Sequence, residues 1–345
     1  MIKKRNIQIL KNIATRTPSF TMNNILLTYH CTQRCLQCNI PFMKSEIPFM
    51  TEDVFNTVID RLDNSGAQGI TLSGGEPMLH PQLDDFAKYA KSKQFKRVHL
   101  LSTLYGPEEL VDKTIETVFR HKLSISCSFD GFGSTVDEIR QAENVSDTVQ
   151  KNMQKIIDEN KRISNPIKTS VNIVISQKNL AQIPDILDYI ESIGWNFNID
   201  IYRFTSKAHR ENDDMKVTEN EMLSKIIKRI IKSPYLKTPI WLYKGYEDYL
   251  NNNYKKICPY INSPVLGSKF FIQPNGDVKV CIGDPIGNLA KQTAKEIFSS
   301  QAWKERKQEI KECRGCWNTC YTPGASIWKY LDLDTIKQMT RIKPY

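Results

Sequence analysis

Short apolar runs and longer amphipathic segments alternate along most of the chain. In MTEDVFNTVIDRLDNSG, apolar residues recur at helical spacing from Val54 to Leu62, after Thr51 at the position expected of an N-cap. Runs such as RVHLLS and KTSVNIVIS are instead short and apolar or β-branched, as in buried strands. The pattern predicts strands at 24–30, 68–73, 97–102, 123–129, 168–175 and 197–203, and helices at 51–64, 82–93, 107–121, 145–161 and 180–193.

Six strands that alternate with helices predict an α/β fold built on a parallel sheet. Right-handed crossovers join consecutive parallel strands and place the intervening helices against the sheet. We therefore expect the sheet to curl into a barrel whose strands are covered by helices. In such folds the chemistry lies at the carboxyl ends of the strands, so the segments that follow each strand are where a site is expected.

The pattern changes after the sixth strand. The run SKAHRENDDMKVTENE is polar, contains no obvious core residue and predicts a linker. Further on, Asn275-Gly276 between two alternating segments predicts a β-hairpin. We expect four regions: a basic N-terminal segment over 1–22, the barrel over 23–205, a helical linker over 206–255 and a small cysteine-rich C-terminal domain over 256–345.

Composition indicates an ordinary globular protein. The chain has 345 residues, of which 40% are hydrophobic and 25% charged, and no stretch approaches the roughly 18 apolar residues of a membrane span. The net charge is +10, but basic and acidic residues are interleaved, so nucleic acid is not an expected partner. Residues 1–16 carry five basic and no acidic residues; this segment either packs on the barrel or contacts an anionic membrane surface.

Three cysteines follow the first predicted strand. Nine cysteines in a chain without a signal peptide indicate metal binding in a reducing cytoplasm. Cys31, Cys35 and Cys38 have the spacing C-x3-C-x2-C. Three thiolates on one loop can bind three irons of a [4Fe–4S] cluster and leave the fourth iron open to a small molecule, whereas electron-transfer clusters normally use four cysteines. A zinc site is the alternative, although zinc ribbons show paired C-x2-C motifs.

A second motif, QGITLSGGEP, follows the second strand. Gly74 and Gly75 have no side chains to block a ligand, and Glu76 places a carboxylate at the strand end. A cysteine triad after the first strand and GGEP after the second together resemble the radical S-adenosylmethionine (SAM) superfamily. The resemblance implies a partial (β/α)6 barrel, in which the three cysteines bind a SAM-binding [4Fe–4S] cluster. It also implies that SAM is lined by Gly74, Gly75, Glu76 and Pro77.

The ends of the third and fourth strands resemble the same family less closely. Ser102 and Thr103 offer hydroxyls where relatives often carry a threonine–asparagine–glycine run. SISCSFDG, followed by DEIR, resembles a family run that contacts the ribose or carboxylate of SAM, and the residues carried over are Ser128, Asp130 and Arg140. By alternation, Cys127 points into packing. Gln37 departs from the family, in which an aromatic residue usually precedes the third cysteine.

The remaining motif lies near the C-terminus. The spacing from Gly276 to Cys281 is G-x4-C, with one cysteine upstream and C-x2-C downstream, which resembles the twitch and SPASM extensions of radical SAM enzymes. The resemblance implies one auxiliary [4Fe–4S] cluster bound by Cys258, Cys281, Cys313 and Cys316. The cysteines are too few for the two clusters of a full SPASM domain, so the twitch form fits better. Cys320 either replaces a ligand or is spare, and zinc on the same residues is the alternative.

Family membership implies a reaction. An external one-electron donor of flavodoxin or ferredoxin type would reduce the cluster, SAM would be cleaved to a 5′-deoxyadenosyl radical, and that radical would abstract hydrogen from the substrate. The auxiliary cluster would transfer an electron to or from the substrate. We expect a small or lipid-like metabolite, because only about two dozen residues precede the first strand. The alternative is crosslinking, epimerisation or oxidation of a peptide or protein; a non-enzymatic redox sensor has no need of GGEP.

Overall fold

The computed structural model describes residues 20–43, 47–202, 210–218, 221–250, 269–281, 283–312, 334 and 336–338. Among the sequence-based expectations, those for residues 1–16 and for Cys258, Cys313, Cys316 and Cys320 fall outside these ranges. None of the helices within these ranges is both long and apolar enough to cross a membrane.

One mixed sheet organises the chain. Six parallel strands lie side by side in sequential order, and three further strands extend the sheet beyond β1, in the order β6-β5-β4-β3-β2-β1-β7-β8-β9. The strands are β1 Met22–Leu26, β2 Gly69–Ser73, β3 Arg97–Ser102, β4 Ser124–Ser128, β5 Thr169–Ile175, β6 Asn196–Ile201, β7 Lys269–Ile272, β8 Asp277–Lys279 and β9 Gly287–Asn288. The predicted α/β fold with a parallel sheet is confirmed.

Helices connect the parallel strands and cover one face of the sheet. They are α1 Glu52–Asn64, α2 Leu83–Lys91, α3 Glu108–Arg120, α4 Gly133–Arg140, α5 Val145–Arg162, α6 Ile183–Ser192, α7 Glu221–Lys232, α8 Ile240–Lys244, α9 Tyr246–Leu250, α10 Ala294–Ser299 and α11 Gln301–Glu312. Thr51 caps α1 as predicted, because its side chain accepts a hydrogen bond from the Val54 amide. The buried face of α1 then packs into the main core.

One face of the parallel sheet is apolar, and the other is largely polar. On β4 and β5, Ile125, Cys127 and Val171 are fully buried in the core beneath the helices. Alternate positions are polar, so the opposite face carries hydroxyl and amide side chains. Polar residues such as Asn172 inside KTSVNIVIS mark this second face. We call it the inner face, and it includes Asn24, Thr71, Ser126, Ser170, Asn172 and Asn198.

The chain leaves β1 earlier than predicted. The strand ends at Leu26 rather than at residue 30, because Thr28 pairs antiparallel with Phe49 and the Tyr29 amide donates to Pro48. This change of partner turns the chain away from the parallel ladder. The segment that carries the cysteines therefore begins at the carboxyl ends of the parallel strands.

The polar segment after β6 contributes to the core, contrary to expectation. Met215 is 1% exposed and packs with Ile139 and Tyr202. Its carbonyl oxygen accepts a hydrogen bond from the Gln177 amide. Val217 in the same run is 7% exposed. Isolated apolar residues in a polar run give no periodic signal, and this is why their burial was not predicted.

The predicted hairpin joins the main sheet. β7 and β8 pair antiparallel, and Gly276 closes the turn at a φ of +87°. β7 also pairs parallel with β1, so the C-terminal hairpin continues the barrel sheet. On the other side, Arg61 of α1 donates to the carbonyl oxygens of Leu289 (2.7 Å) and Gln292 (2.9 Å).

Candidate functional site

The cysteine segment, residues 30–39, is held at the carboxyl ends of the parallel strands by the GGEP turn. The Gly75 amide donates to the Thr28 carbonyl at 2.8 Å, and the Glu76 amide donates to the His30 carbonyl at 2.7 Å. Both carbonyls belong to the residues that lead from β1 into the cysteines. The two motifs recognised in the sequence are therefore directly bonded to each other.

The glycines of GGEP make room for this contact. A Cβ added to Gly74 would lie 2.4 Å from the Thr28 carbonyl oxygen, and one added to Gly75 would lie 2.1 Å from that of His30. On the side where a side chain would project, the backbone of Thr28 and His30 fills the space.

Two further elements fix the cysteine segment. The last turn of α4 accepts hydrogen bonds from the Arg34 amide (to Arg140) and from the Leu36 amide (to Ile139). From the loop after β3, the Tyr105 carbonyl accepts a hydrogen bond from the Thr32 hydroxyl at 2.8 Å. The segment is thus bonded to the ends of β2, β3 and α4, so three separate crossovers position it.

The three sulfurs are sheltered from water to different degrees. Cys35 is 6% exposed, whereas Cys31 and Cys38 are partly buried. Burial raises the pKa of the Cys31 thiol to about 12 and that of the Cys38 thiol to about 11. Thiolates at these positions consequently need a bound cation, and iron coordination removes the thiol proton outright.

The donor set suits a cluster. Among the described residues, no three His, Cys, Asp or Glu side chains converge closely enough to hold a single metal ion. In a [4Fe–4S] cluster each cysteine binds a different iron, so three cysteines on one loop are suitable ligands. Next to the third cysteine, the Gln37 side-chain oxygen is buried and has no hydrogen-bond partner among these residues. A ligand with a donor group would satisfy it.

Glu76 is a fully buried carboxylate with four donors. One oxygen accepts from the Ser102 hydroxyl (2.8 Å) and the Met78 amide, and the other accepts from the Thr103 amide (2.6 Å) and hydroxyl (2.7 Å). Burial raises the pKa of Glu76, and these hydrogen bonds act in the opposite direction. The two hydroxyls noted at the end of β3 thus hold Glu76, and Pro77 is buried at the start of the short 3-10 turn that follows.

Asp130 and Arg140 form a buried pair that reaches the cysteines. The Arg140 guanidinium donates to one Asp130 oxygen, and the other oxygen accepts from the Val174 amide at 2.8 Å. A second Arg140 nitrogen lies 3.7 Å from the Cys35 sulfur. The neighbouring negative charges raise the pKa of Arg140 further above its usual range. Ser128, at the end of β4, remains partly exposed. The motif search identified Arg140 but not its contact with Cys35.

Cys281 lies in the turn after β8. It has a φ of +55°, is partly buried and packs against the main core. Arg306 of α11 donates to the preceding carbonyl, that of Val280, at 3.2 Å. The hairpin therefore delivers this cysteine to a position fixed by both the sheet and α11.

Two family models match the chain. The Radical SAM superfamily matches residues 25–190, which run from β1 into α6. SPASM, an iron–sulfur cluster-binding domain, matches residues 264–317. The second match includes Cys281, Cys313 and Cys316, whereas Cys258 and Cys320 lie outside it.

Two curated proteins are similar in sequence. The antilisterial bacteriocin subtilosin biosynthesis protein AlbA of Bacillus subtilis (strain 168) is 22% identical over 333 residues, covering 88% of this chain and 68% of AlbA. Fe-coproporphyrin III synthase of Methanosarcina barkeri is 26% identical over 168 residues, covering 48% of this chain. The match spans 39% of that protein's length.

SuiB of Streptococcus suis is similar in structure. SuiB bound to its precursor peptide SuiA superposes with a TM-score of 0.65 at 12% identity, over 96% of this chain and 79% of SuiB. SuiB bound to S-adenosylmethionine gives a TM-score of 0.62. The Radical SAM match covers the parallel sheet, and the SPASM match follows it, in the order that the cysteine motifs predicted. The chain carries a Radical SAM superfamily domain over residues 25–190 followed by an iron–sulfur cluster-binding SPASM domain, and these two domains are those of an enzyme whose cofactors are SAM and iron–sulfur clusters.

Proposed function

We propose that this chain is a radical SAM maturase that modifies a peptide. Between the two substrate classes considered from the sequence, the peptide alternative has more support than a small or lipid-like metabolite. AlbA is named for the biosynthesis of a bacteriocin, and its match covers 88% of this chain. SuiB, which shares the fold, was solved with a precursor peptide.

The observation that carries the proposal is the polarity of the inner face. Asn172 accepts a hydrogen bond from Asn198 at 3.1 Å, and the Ser126 and Ser170 hydroxyls are 2.5 Å apart. This face therefore offers amide and hydroxyl groups that can exchange partners with a peptide backbone. An apolar lipid chain could form no hydrogen bonds with these groups, whereas a peptide backbone offers both donors and acceptors.

Different residues around the cysteine segment would bind the cluster, form the walls of the site and contact SAM. Cys31, Cys35 and Cys38 would bind the SAM-binding cluster. The polar atoms of Glu76, Asp130 and Arg140 are already bonded within the protein, so these three would shape the site and hold its walls. SAM itself would lie against Gly74, Gly75, Pro77 and Ser128.

When bound, the reduced cluster supplies the electron that cleaves SAM, and the hydrogen-abstracting group derives from the cofactor. The protein's part is to exclude water and to position the substrate on the inner face. An auxiliary cluster bound by Cys258, Cys281, Cys313 and Cys316 would carry the substrate electron. An external flavodoxin- or ferredoxin-type protein would deliver the first electron.

Deuterium transfer tests the substrate class. Source cells would be grown on deuterated medium, and their extract separated into metabolite and peptide fractions. Each fraction would be incubated with anaerobically reconstituted, reduced enzyme and unlabelled SAM. We expect deuterium in 5′-deoxyadenosine only with the peptide fraction, measured by mass spectrometry. Label only from the metabolite fraction would contradict the proposal.

Two controls make the result specific. Protease treatment of the peptide fraction should abolish the label, because the hydrogen donor is then destroyed. The Cys31→Ala variant should give no labelled product with either fraction. Label that survives protease treatment would assign the donor to a contaminating metabolite and would also contradict the peptide proposal.

A further inference from the structure

Two amide side chains hold the turn that joins β4 to α4. They belong to Asn179 and Gln182, which lie in the short segment between β5 and α6. The turn that they hold comprises residues 129–132. We call these two side chains the amide clamp.

Asn179 is fully buried, and its amide uses all of its hydrogen-bonding capacity. Its Nδ2 donates to the Asp130 carbonyl at 2.6 Å and to the Val174 carbonyl at 2.9 Å. Its Oδ1 accepts from the Ser176 amide at 2.7 Å and from the Ser176 hydroxyl at 3.0 Å. Because carbonyls only accept and a backbone amide only donates, the orientation of the side chain is fixed. Asn179 therefore ties Asp130 to the end of β5.

Gln182 holds the other end of the same turn. Its Oε1 accepts from the Phe132 amide at 2.9 Å, and its Nε2 donates to the Thr135 hydroxyl at 3.1 Å. The Phe132 side chain, at the N-cap position of α4, makes no capping hydrogen bond. A Cβ added to Gly131 would lie 2.8 Å from Gln182 Oε1, so the glutamine side chain lies directly against the turn. Gln182 therefore fixes where α4 begins.

The amide clamp holds the residues that reach the cysteine segment. The Asp130 carboxylate accepts from the Arg140 guanidinium and from the Val174 amide, while the Asp130 carbonyl is bonded to Asn179. Arg140, in the last turn of α4, lies 3.7 Å from the Cys35 sulfur. The clamp thus fixes the partner of Arg140 through Asn179 and the helix that carries Arg140 through Gln182.

Small displacements matter at this site because it is buried. Asp130 is 0% exposed and Arg140 is 7% exposed, so water screens their interaction only weakly. The energy of interaction between charges is larger in such surroundings and depends on their separation. A shift of Asp130 or of α4 by a fraction of an ångström would therefore change where the positive charge of Arg140 lies relative to Cys35.

We propose that Asn179 and Gln182 are positioning residues for the SAM-binding cluster. They hold Arg140 at the Cys35 sulfur and thereby set the midpoint potential of the cluster. A positive charge near a ligand sulfur stabilises the more negative, reduced cluster, so a displaced Arg140 lowers the potential. The proposal rests on the proposed binding of this cluster by the three cysteines of the cysteine segment, and it does not depend on the identity of the substrate.

Redox titration of the reconstituted full chain tests this proposal, with the cluster identified by the electron paramagnetic resonance signal that changes when SAM is added. Asn179→Ala and Gln182→Ala each replace a neutral side chain by another, so a changed potential has to come from groups that moved. We expect each variant to shift the reduction equilibrium about threefold towards the oxidised cluster, or about 30 mV for a one-electron couple. Gln182 is only partly buried, so Gln182→Ala keeps the test informative where Asn179→Ala does not fold.

The same substitution in an Arg140→Gln background separates positioning from a general structural role. Because the clamp acts through Arg140, Gln182→Ala should cause no further shift of the potential once the guanidinium is gone. A role that only stabilises the fold would not give this non-additivity.

Two matched controls are available. Ser176→Ala removes one hydroxyl bond to Asn179, but the Ser176 amide still holds the side chain and the bond to Asp130 stays in place. Gln154→Ala makes the same change as Gln182→Ala at an exposed glutamine of α5, which is bonded to Asp158. Both variants should keep the wild-type potential.

The proposal has two ways to fail on its own. Equal potentials in wild type and both clamp variants would overturn it, and so would an undiminished shift from Gln182→Ala in the Arg140→Gln background. A wild-type chain without a SAM-responsive signal would instead overturn the cluster assignment and, with it, this proposal. The two kinds of failure are distinguishable because only the second removes the signal from wild type.

Discussion

Gly75 illustrates how a single residue determines whether the cysteine segment can take its place. The GGEP motif singles out this position in the sequence. It does not reveal why glycine is needed there, because the contact with His30 joins segments from two different crossovers. From the sequence, a missing side chain suggested access for a ligand. In the structure it allows two backbone segments to pack and bond directly.

Gly75→Ala should therefore destabilise the protein by about 3 kcal/mol, since the added Cβ would lie 2.1 Å from the His30 carbonyl oxygen. Gly194→Ala is the matched control: its φ is +73°, but nothing lies within 4 Å of the added Cβ. It should cost only about 1 kcal/mol, from backbone strain. Denaturant unfolding measures both. Equal costs would mean that the close approach in the GGEP turn does not matter.

Glu76 allows a second test at the residue scale. Its carboxylate accepts four hydrogen bonds, and Glu76→Gln places an amide NH2 against donors of Ser102 and Thr103. We expect a loss of about 2–4 kcal/mol of folding stability, because buried donors lose their acceptor. Ser102→Ala removes one of the four donors to Glu76 and the acceptor of the Leu104 amide, and it should cost less, about 1–2 kcal/mol. A Glu76→Gln variant as stable as wild type would contradict the assigned hydrogen bonds.

Among the elements, long periodic helices and the six parallel strands could be predicted to within a few residues, because periodicity is local. The helix α4 could not be predicted from a local pattern. It has eight residues, only Val136, Ile139 and Arg140 are buried, and it follows a turn. Its importance comes from its last turn, which bonds to the cysteine segment more than 100 residues earlier in the chain.

Arg140, in the last turn of α4, should influence the midpoint potential of the cluster. Arg140 places a positive charge and an N–H donor 3.7 Å from the Cys35 sulfur, which stabilises the more negative, reduced cluster. Arg140→Gln should lower the midpoint potential by about 60 mV, a tenfold change for a one-electron couple. Arg140→Lys keeps the charge and should shift it less.

Redox titration monitored by electron paramagnetic resonance gives these potentials. The control is Arg120→Gln, an exposed arginine of α3 that pairs with Asp84. It should leave the potential unchanged. The role of Arg140 is contradicted if Arg140→Gln and Arg120→Gln have the same potential as wild type.

Lys237, near the amino ends of the strands, leads to a prediction of how folding stability depends on pH. Lys237, which faces Arg97, Lys168 and His99, has its pKa lowered to about 7 by burial and by those cations. The unfolded chain binds more protons than the folded chain between about pH 7 and about pH 10.4, so folding stability should rise with pH across this window.

Lys237→Met should remove this rise, which is of the order of a few kcal/mol. Denaturant unfolding at several pH values compares the two chains. Parallel stability curves for wild type and Lys237→Met from pH 7 to pH 10 would show that Lys237 titrates normally.

For the whole molecule, local patterns could predict the hairpin around Gly276 but not where it packs. β7 pairs with β1 across more than 240 residues of chain, and no local pattern encodes that partner. The result is one continuous sheet that carries the cysteine segment on β1 and Cys281 just after β8. The polar inner face likewise emerged only when the strands were aligned.

This arrangement predicts that the two cysteine groups can be separated by mutation. Cys281→Ala should remove about four irons, as for one [4Fe–4S] cluster, while leaving SAM cleavage that is uncoupled from substrate. Iron analysis and quantification of 5′-deoxyadenosine check both parts. Full iron content in this variant, or zinc in the wild-type protein, would contradict an auxiliary cluster at Cys281.

The central claim is that the cysteine segment above β1 is where SAM is cleaved. The most direct measurement compares wild type, Cys31→Ala and Cys127→Ala after anaerobic reconstitution and reduction, with iron and 5′-deoxyadenosine quantified together. Cys127 is a buried cysteine of β4 that packs beneath the helices and serves as the matched control. We expect Cys31→Ala to lose about four irons and all SAM cleavage, and Cys127→Ala to retain both. Unchanged cleavage in Cys31→Ala would contradict the account.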